Sequence, residues 1–304
     1  MKFGLHLDNA NSRDATALLS SWLAMVRTAD AAGFDYVSVV DHLVPFPNHR
    51  SSDLTLFDPW QLLATFAGIT SKVTLLTLVT NAPNTHPARL AKQVATLDVI
   101  SEGRTMVGLG AGGYQADDAA ISSGARAFQV RYEQLAECID VLELLWHGKE
   151  TTTHGPYYPV GELVSAPQPQ ARPRLLIAGK SKPILRLVAD KASASNFAFT
   201  NLSDLKLLMQ RLTEILASAA RPLTEIEITV LDRVFIGDSD SQAQQAWQSA
   251  GAPAVYGHPG LVGAADSLVQ SISQLEAAGV NTLFLMFNDS GSLQQFSQEV
   301  LPRC

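Results

Sequence analysis

At 304 residues the chain is long for a minimal domain and matches one α/β barrel, which typically runs to roughly 250 residues plus insertions. Hydrophobic residues make up 46% and charged residues 17%, so a large buried core is expected. The net charge of −7 argues against a general nucleic-acid binder, which needs a basic face, but leaves room for an anionic cofactor held by local cations and main-chain N–H groups.

The chain opens on a strand-like run, Phe3–Leu7, and shows none of the basic and apolar regions of a secretory leader. A helix over Thr16–Ala32 follows, stopped by Gly33. The next strands are Tyr36–Val40, Val73–Val79 and Thr105–Leu109, followed in turn by helices over Pro59–Thr70, Pro87–Ile100 and Phe128–Trp146. Arg174–Ala178, Asn196–Thr200 and Ile226–Ile236 read as strands, each followed by a helix: Pro183–Lys191, Asp204–Ala219 and Gln242–Ala250. A further helix, Ala265–Ala278, closes at Gly279 before a last strand, Thr282–Phe287. Strand then helix, repeated about eight times, is the pattern of a parallel sheet. Eight strands with no early glycine fingerprint favour a closed (β/α)8 TIM barrel over an open doubly wound sheet. We expect a single domain over 1–304 with insertions after strand 4 (111–127) and before strand 5 (148–172). Gly148, Gly155-Pro156 and Gly161 signal a small hairpin in the second insertion.

No apolar stretch reaches the roughly 20 residues of a membrane helix. Cys138 and Cys304 lie far apart and suggest neither a metal site nor a disulfide framework. A soluble, cytoplasmic protein is the expectation.

Residues at the C-terminal ends of barrel strands face the active-site mouth. Asp41-His42 ends the second strand, where it would either move protons near neutral pH or serve as a structural histidine held by a loop carbonyl. Thr77, Thr80 and Asn81 punctuate an apolar third strand and suit hydrogen bonding to a polar ring edge. Pro87 sits in a first helical turn, and His86 before it reads as a cap or buttress. Gly108, Gly110, Gly112 and Gly113 permit close main-chain approach to a ligand. A dinucleotide-binding turn is the other reading. It is weak because Gln115-Ala116-Asp117-Asp118 opens no helix at once and the run lies mid-chain. After the fifth strand, Ala178-Gly179-Lys180-Ser181-Lys182-Pro183 is either an anion site, built from a helix N-terminus and two lysines, or a plain capped helix with solvated lysines.

Taken together, these pieces resemble the luciferase-like monooxygenase superfamily of flavin- and deazaflavin-dependent oxidoreductases, over nearly the whole chain. The most specific stretch is Val73–Gly112, with Thr77-Leu78-Val79-Thr80, His86-Pro87-Ala88 and Ser101-Glu102-Gly103-Arg104. Ala32-Gly33-Phe34-Asp35 with Asp41-His42, residues 132–158, and 262–280 support it. The resemblance implies reduced FMN, or the 8-hydroxy-5-deazaflavin coenzyme F420, used to oxygenate a small organic substrate or to pass hydride to it. A separate flavin reductase is a partner in keeping with that chemistry, and dimers are common in similar proteins.

It further implies that the ring lies against Thr77, Leu78 and Thr80, over a non-proline cis bond at Thr77–Leu78, with its edge near Gly110, Ala111 and Gly112. The phosphate would meet Ala178, Gly179, Lys180 and Ser181. His42 would be the catalytic residue at the reactive face, with Asp41 orienting it. Loops 43–57 and 111–127 are the lid candidates.

The chain departs from the family at several positions. Gly113 stands where sugar-phosphate-oxidising relatives carry an acid, Phe46 where they carry a tryptophan, and Thr85 where many flavin-type members have arginine. Gly113–Asp117 replaces a tryptophan-containing, acid-bearing loop. These differences leave open a flavin-binding barrel without turnover. A metal-dependent hydrolase using His6, Asp41, His42 and His86 is a third reading, although no His-x-His pair ends the first strand.

Overall fold

The computed structural model describes residues 1–8, 14–44, 55–121, 126–250 and 260–304. Its elements in chain order begin β1 (Lys2–Leu7), α1 (Ala15–Ala32), β2 (Tyr36–Val39), α2 (Pro59–Ala67), β3 (Thr74–Thr77), β4 (Thr80–Asn81), α3 (Pro87–Ile100), β5 (Met106–Gly110) and α4 (Gln115–Ile121). There follow α5 (Phe128–Leu145), β6 (Thr151–Thr153), β7 (Val160–Leu163), β8 (Arg174–Ala178), α6 (Lys182–Lys191), β9 (Ala194–Ala198) and α7 (Leu202–Ser218). The chain ends with β10 (Glu227–Ile236), α8 (Asp240–Ser249), β11 (Leu261–Gly263), α9 (Ala265–Ala277), β12 (Thr282–Phe287) and α10 (Ser290–Glu299).

The strands run parallel in the order β3-β2-β1-β12-β10-β9-β8-β5-β4. A bridge between Leu75 and Thr105, with the Leu75 N–H donating to the Arg104 carbonyl at 2.8 Å, closes the ring. β3 and β4 are two parts of one staved position, so the architecture is the expected (β/α)8 TIM barrel. Both insertions are where the sequence puts them: α4 lies in the first, and β6 and β7 pair as an antiparallel hairpin in the second. No helix among the described residues is long and apolar enough to cross a membrane.

Alternation along each strand divides two cores. On β1, Phe3, Leu5 and Leu7 pack outward under the helices together with Leu63, Phe66, Leu90 and Leu142. Inside the barrel lies a second cluster that includes Tyr36, Leu76, Met106, Leu176, Leu231, Phe284 and Met286. Strands covered on both faces read as almost continuous apolar runs, which is why their sequence signal is strong. Gly33 ends α1 in the left-handed conformation, φ 92°, with its N–H on the Ala29 carbonyl, as its glycine predicts.

Three expectations need correction, and one element is new. The third strand is split, because its ladder hydrogen bonds pass from β2 to β5 partway along. The cis peptide bond is Leu78–Val79, one residue beyond the expected Thr77–Leu78. A short helix, α4, does open after the glycine run. α10 was not foreseen, although Asp289 caps it and Leu293 and Phe296 bury its inner face at helical spacing.

Candidate active site

A cavity of about 530 Å³ opens at the C-terminal ends of the barrel strands, within the range of small-molecule sites. Every stave supplies part of its wall. His6 and Asp8 come from the end of β1, and Asp41 and His42 follow β2. Leu78, Val79 and Asn81 belong to the β3–β4 stave, and Gly110 to Tyr114 follow β5. Ala178, Gly179 and Lys180 leave β8, while Ala198, Leu231 and Met286 come from β9, β10 and β12, with Phe199 just after β9.

The three segments singled out in sequence therefore meet, with His42 beside them. Leu78, Gly110, Ala111, Gly112, Ala178, Gly179, Lys180, Asp41 and His42 all line the cavity. Thr77 and Thr80 do not. Both are fully buried, the Thr77 hydroxyl donating to the Gly108 carbonyl at 3.2 Å and the Thr80 hydroxyl to Thr77 Oγ1 at 2.8 Å. Consecutive residues Leu78 and Val79 both face the cavity, so alternation changes phase there and Asn81 takes the place expected of Thr80. Ser181 sits behind the wall as the N-cap of α6, without a side-chain capping bond.

The glycines make a cradle. A β-carbon on Gly110 would fall 2.7 Å from Val79 Cγ2, and one on Gly112, φ 65°, would fall 2.6 Å from Asn81 Oδ1. Only glycine leaves the main chain this close to the β3–β4 stave. Asn81 Oδ1 and Ser181 Oγ are buried without a hydrogen-bond partner, one at the cradle and one at the N-terminus of α6. Buried polar atoms are normally satisfied, so Asn81 Oδ1, whose residue lines the cavity, is suited to a polar ligand.

His42 Nδ1 lies 2.6 Å from Asp117 Oδ2. The other carboxylate oxygen accepts from the Leu43 and Val44 N–H groups at 2.9 and 3.0 Å. Burial opposes ionisation of Asp117, but the bonds from His42, Val44 and Leu43 hold its pKa below the ordinary value. The Tyr114 ring meets the imidazole edge-on with centroids 5.6 Å apart. Asp41, expected to orient His42, makes its hydrogen bond elsewhere. Its Oδ2 instead accepts from the Asn81 N–H at 3.3 Å. Burial pushes the Asp41 pKa up to about 6, against the Asn81 N–H and His42, with Asp58 and Asp117 adding to the rise.

Sequence reasoning missed Asp117. The Gly113 and Gln115 positions lack the family's acid, yet a carboxylate enters from α4 two residues further on. Its neighbour Asp118 pairs with Arg126 at 2.8 Å, and Arg126 donates to the Pro83 carbonyl at 2.7 Å, so α4 is pinned to the loop after β4. An Asp-Asp pair followed by a lone arginine was the available signal.

His6 is buried with Nδ1 2.9 Å from Ser38 Oγ, and burial first, then Arg233 and His42, push its pKa down to about 3. It is a neutral polar group of the wall. His86 caps α3, its Nδ1 accepting from the Ala88 N–H at 3.2 Å, and its ring packs edge-on against Tyr158. Among the described residues no three His, Cys, Asp or Glu side chains are grouped to hold a metal ion. Of the lid candidates, 45–54 and 122–125 lie outside the described residues, and Phe46 with them.

A family model described as luciferase-like monooxygenase matches residues 1–283. The F420-dependent hydroxymycolic acid dehydrogenase of Mycobacterium tuberculosis is 28% identical over 226 residues, covering 74% of this chain and 61% of that protein. The pyrimidine monooxygenase RutA of Pseudomonas savastanoi pv. phaseolicola is 27% identical over 230 residues, covering 74% and 62%. The chain thus spans about three-fifths of the length of these curated relatives. Among solved structures, an F420-dependent secondary alcohol dehydrogenase in complex with an F420-acetone adduct superposes with a TM-score of 0.84 at 20% identity, over 99% of this chain and 98% of that one. That likeness concerns the fold.

Proposed function

The chain belongs to the luciferase-like monooxygenase family, and we propose that it is an oxidoreductase that holds reduced FMN, or coenzyme F420, in the cavity at the barrel mouth. The observation that carries this reading is the meeting of three separate segments, Leu78–Asn81, Gly110–Gly112 and Ala178–Lys180, on one cavity beside His42. When bound, such a group supplies hydride transfer or, for a reduced flavin, reaction with oxygen.

The chain's own part is to bind, orient and move protons. Val79 and Leu78 give an apolar floor, and the glycine cradle brings main-chain groups to a ring edge. Asn81 Oδ1 offers an acceptor there, matching a ring N–H. Gly179 and Lys180 line the cavity just ahead of α6, so the positive N-terminal end of that helix, capped by Ser181, lies behind the part of the wall that suits a phosphate. Lys180 Nζ already donates to the Phe199 carbonyl at 3.3 Å, which keeps it near the mouth. His42 stands at the wall as the residue that gives or takes a proton at the substrate. A small organic substrate, and a reductase partner in the FMN case, complete the reading.

The test is a titration of FMN and of F420, oxidised and reduced, followed by absorbance and fluorescence. Lys180→Glu and Ser181→Asp should each weaken binding by at least about tenfold, since each sets a negative charge against the phosphate. Unchanged affinity in both variants removes the α6 loop from the site. No binding of either cofactor to the wild-type protein refutes the reading itself.

A further inference from the structure

We propose that Asp117 is the positioning residue for His42: it fixes the imidazole with its proton on Nδ1, so that Nε2 is the nitrogen that accepts a proton at the cavity. The consequence for turnover rests on the function proposed above, while the assignment of the tautomer stands on geometry alone.

The geometry begins with the two oxygens of one buried carboxylate. Asp117 Oδ1 takes two main-chain N–H groups, from Leu43 and Val44, and Oδ2 lies 2.6 Å from His42 Nδ1. The side chain is 1% exposed, so water does not compete for these contacts. A carboxylate that accepts two main-chain N–H bonds is held in its ionised form, and an ionised carboxylate only accepts. The third group at hydrogen-bond distance must therefore donate, which places a proton on Nδ1. In a neutral imidazole with Nδ1 protonated, Nε2 carries the lone pair. When Nε2 takes up a proton, the imidazolium charge lies beside a carboxylate already in place.

Position is fixed as firmly as tautomer. The same carboxylate holds the ring and the two main-chain N–H groups that follow it. Tyr114 packs edge-on against the ring. α4, which carries Asp117, is anchored independently through Asp118 and Arg126. Asp41, the neighbour in sequence, is committed to the Asn81 N–H.

The experiment uses ¹⁵N-histidine-labelled, cofactor-free protein at alkaline pH, where imidazoles are neutral. His42→Gln identifies the His42 resonances by their loss. In the wild-type protein the His42 nitrogens should show a protonated Nδ1 and an unprotonated Nε2. In Asp117→Asn the side-chain carbonyl can still accept from Leu43 and Val44, which turns the NH2 group toward Nδ1, so the pattern should invert to a protonated Nε2. Asp117→Glu, which keeps the carboxylate, should restore the wild-type pattern at least in part. A protonated Nε2 in the wild-type protein overturns the proposal, and this outcome is available even if Asp117→Asn does not fold. An unchanged pattern in a folded Asp117→Asn overturns it too. FMN titration of the same wild-type sample reports separately on the proposed function, because it does not depend on the tautomer.

Discussion

The main-chain carbonyl of Thr77 lies so close to Gly108 that a β-carbon on this glycine would overlap it. The two residues sit on the staves that close the barrel, and the Thr77 hydroxyl reaches the Gly108 carbonyl as well. Because the obstacle is main chain, it has no rotamer by which to move aside. Gly108→Ala should therefore cost about 2–3 kcal/mol of stability, at the upper end for overpacking. Urea unfolding measures it, and a variant as stable as the wild type would mean that these staves are not packed as described.

Glu227 predicts a loss on neutralisation. It lies at the N-terminal end of the barrel, in ion pairs with Arg174 and Lys2 and in hydrogen bonds with Tyr36 at 2.9 Å and Thr282 at 2.5 Å. Burial opposes its charge, yet Arg174, Thr282 and Tyr36 hold its pKa down to about 2 from 4.5. A lowered carboxylate pKa stabilises the folded state above the unfolded value, and that stability is lost as pH falls toward about 2. Glu227→Gln should cost about 1–2 kcal/mol at neutral pH, less than the full shift because Arg174 and Lys2 are nearly half exposed to screening water. The gap to wild type should narrow steadily below pH 4.5 in denaturant titrations.

Asp232 predicts the opposite. Burial raises its pKa from 3.8 to about 7, against the Arg233 N–H, the Arg233 charge and Lys180. A raised carboxylate pKa means that the folded state prefers the protonated form. Its contribution is fully present below about 3.8 and is lost as pH rises through about 7. Asp232→Asn should then stabilise the protein at pH 8, with no gain near pH 4. Thermal unfolding at the two pH values checks it, and an equal effect at both would show that the charge of Asp232 is not what the fold resists.

The barrel is legible in the chain alone. β-branched and apolar runs separated by amphipathic helices, with Gly33 and Gly279 as stops, specify parallel strands covered on both faces, and local pattern is enough for that. The sequence also brought out the glycine cradle, because only glycine allows close main-chain approach, and Asp41-His42 at a strand end. The tertiary structure decided which side chains reach the cavity. The phase of the β3–β4 stave puts Asn81 rather than Thr80 at the wall, and a run such as Leu75–Val79, apolar but for Thr77, carries no mark of where alternation shifts. It also decided that His42 is paired with Asp117, 75 residues away. Strand and helix preferences are short-range and can be read along the chain, whereas a hydrogen bond between two loops exists only once the barrel has brought their ends to the same mouth.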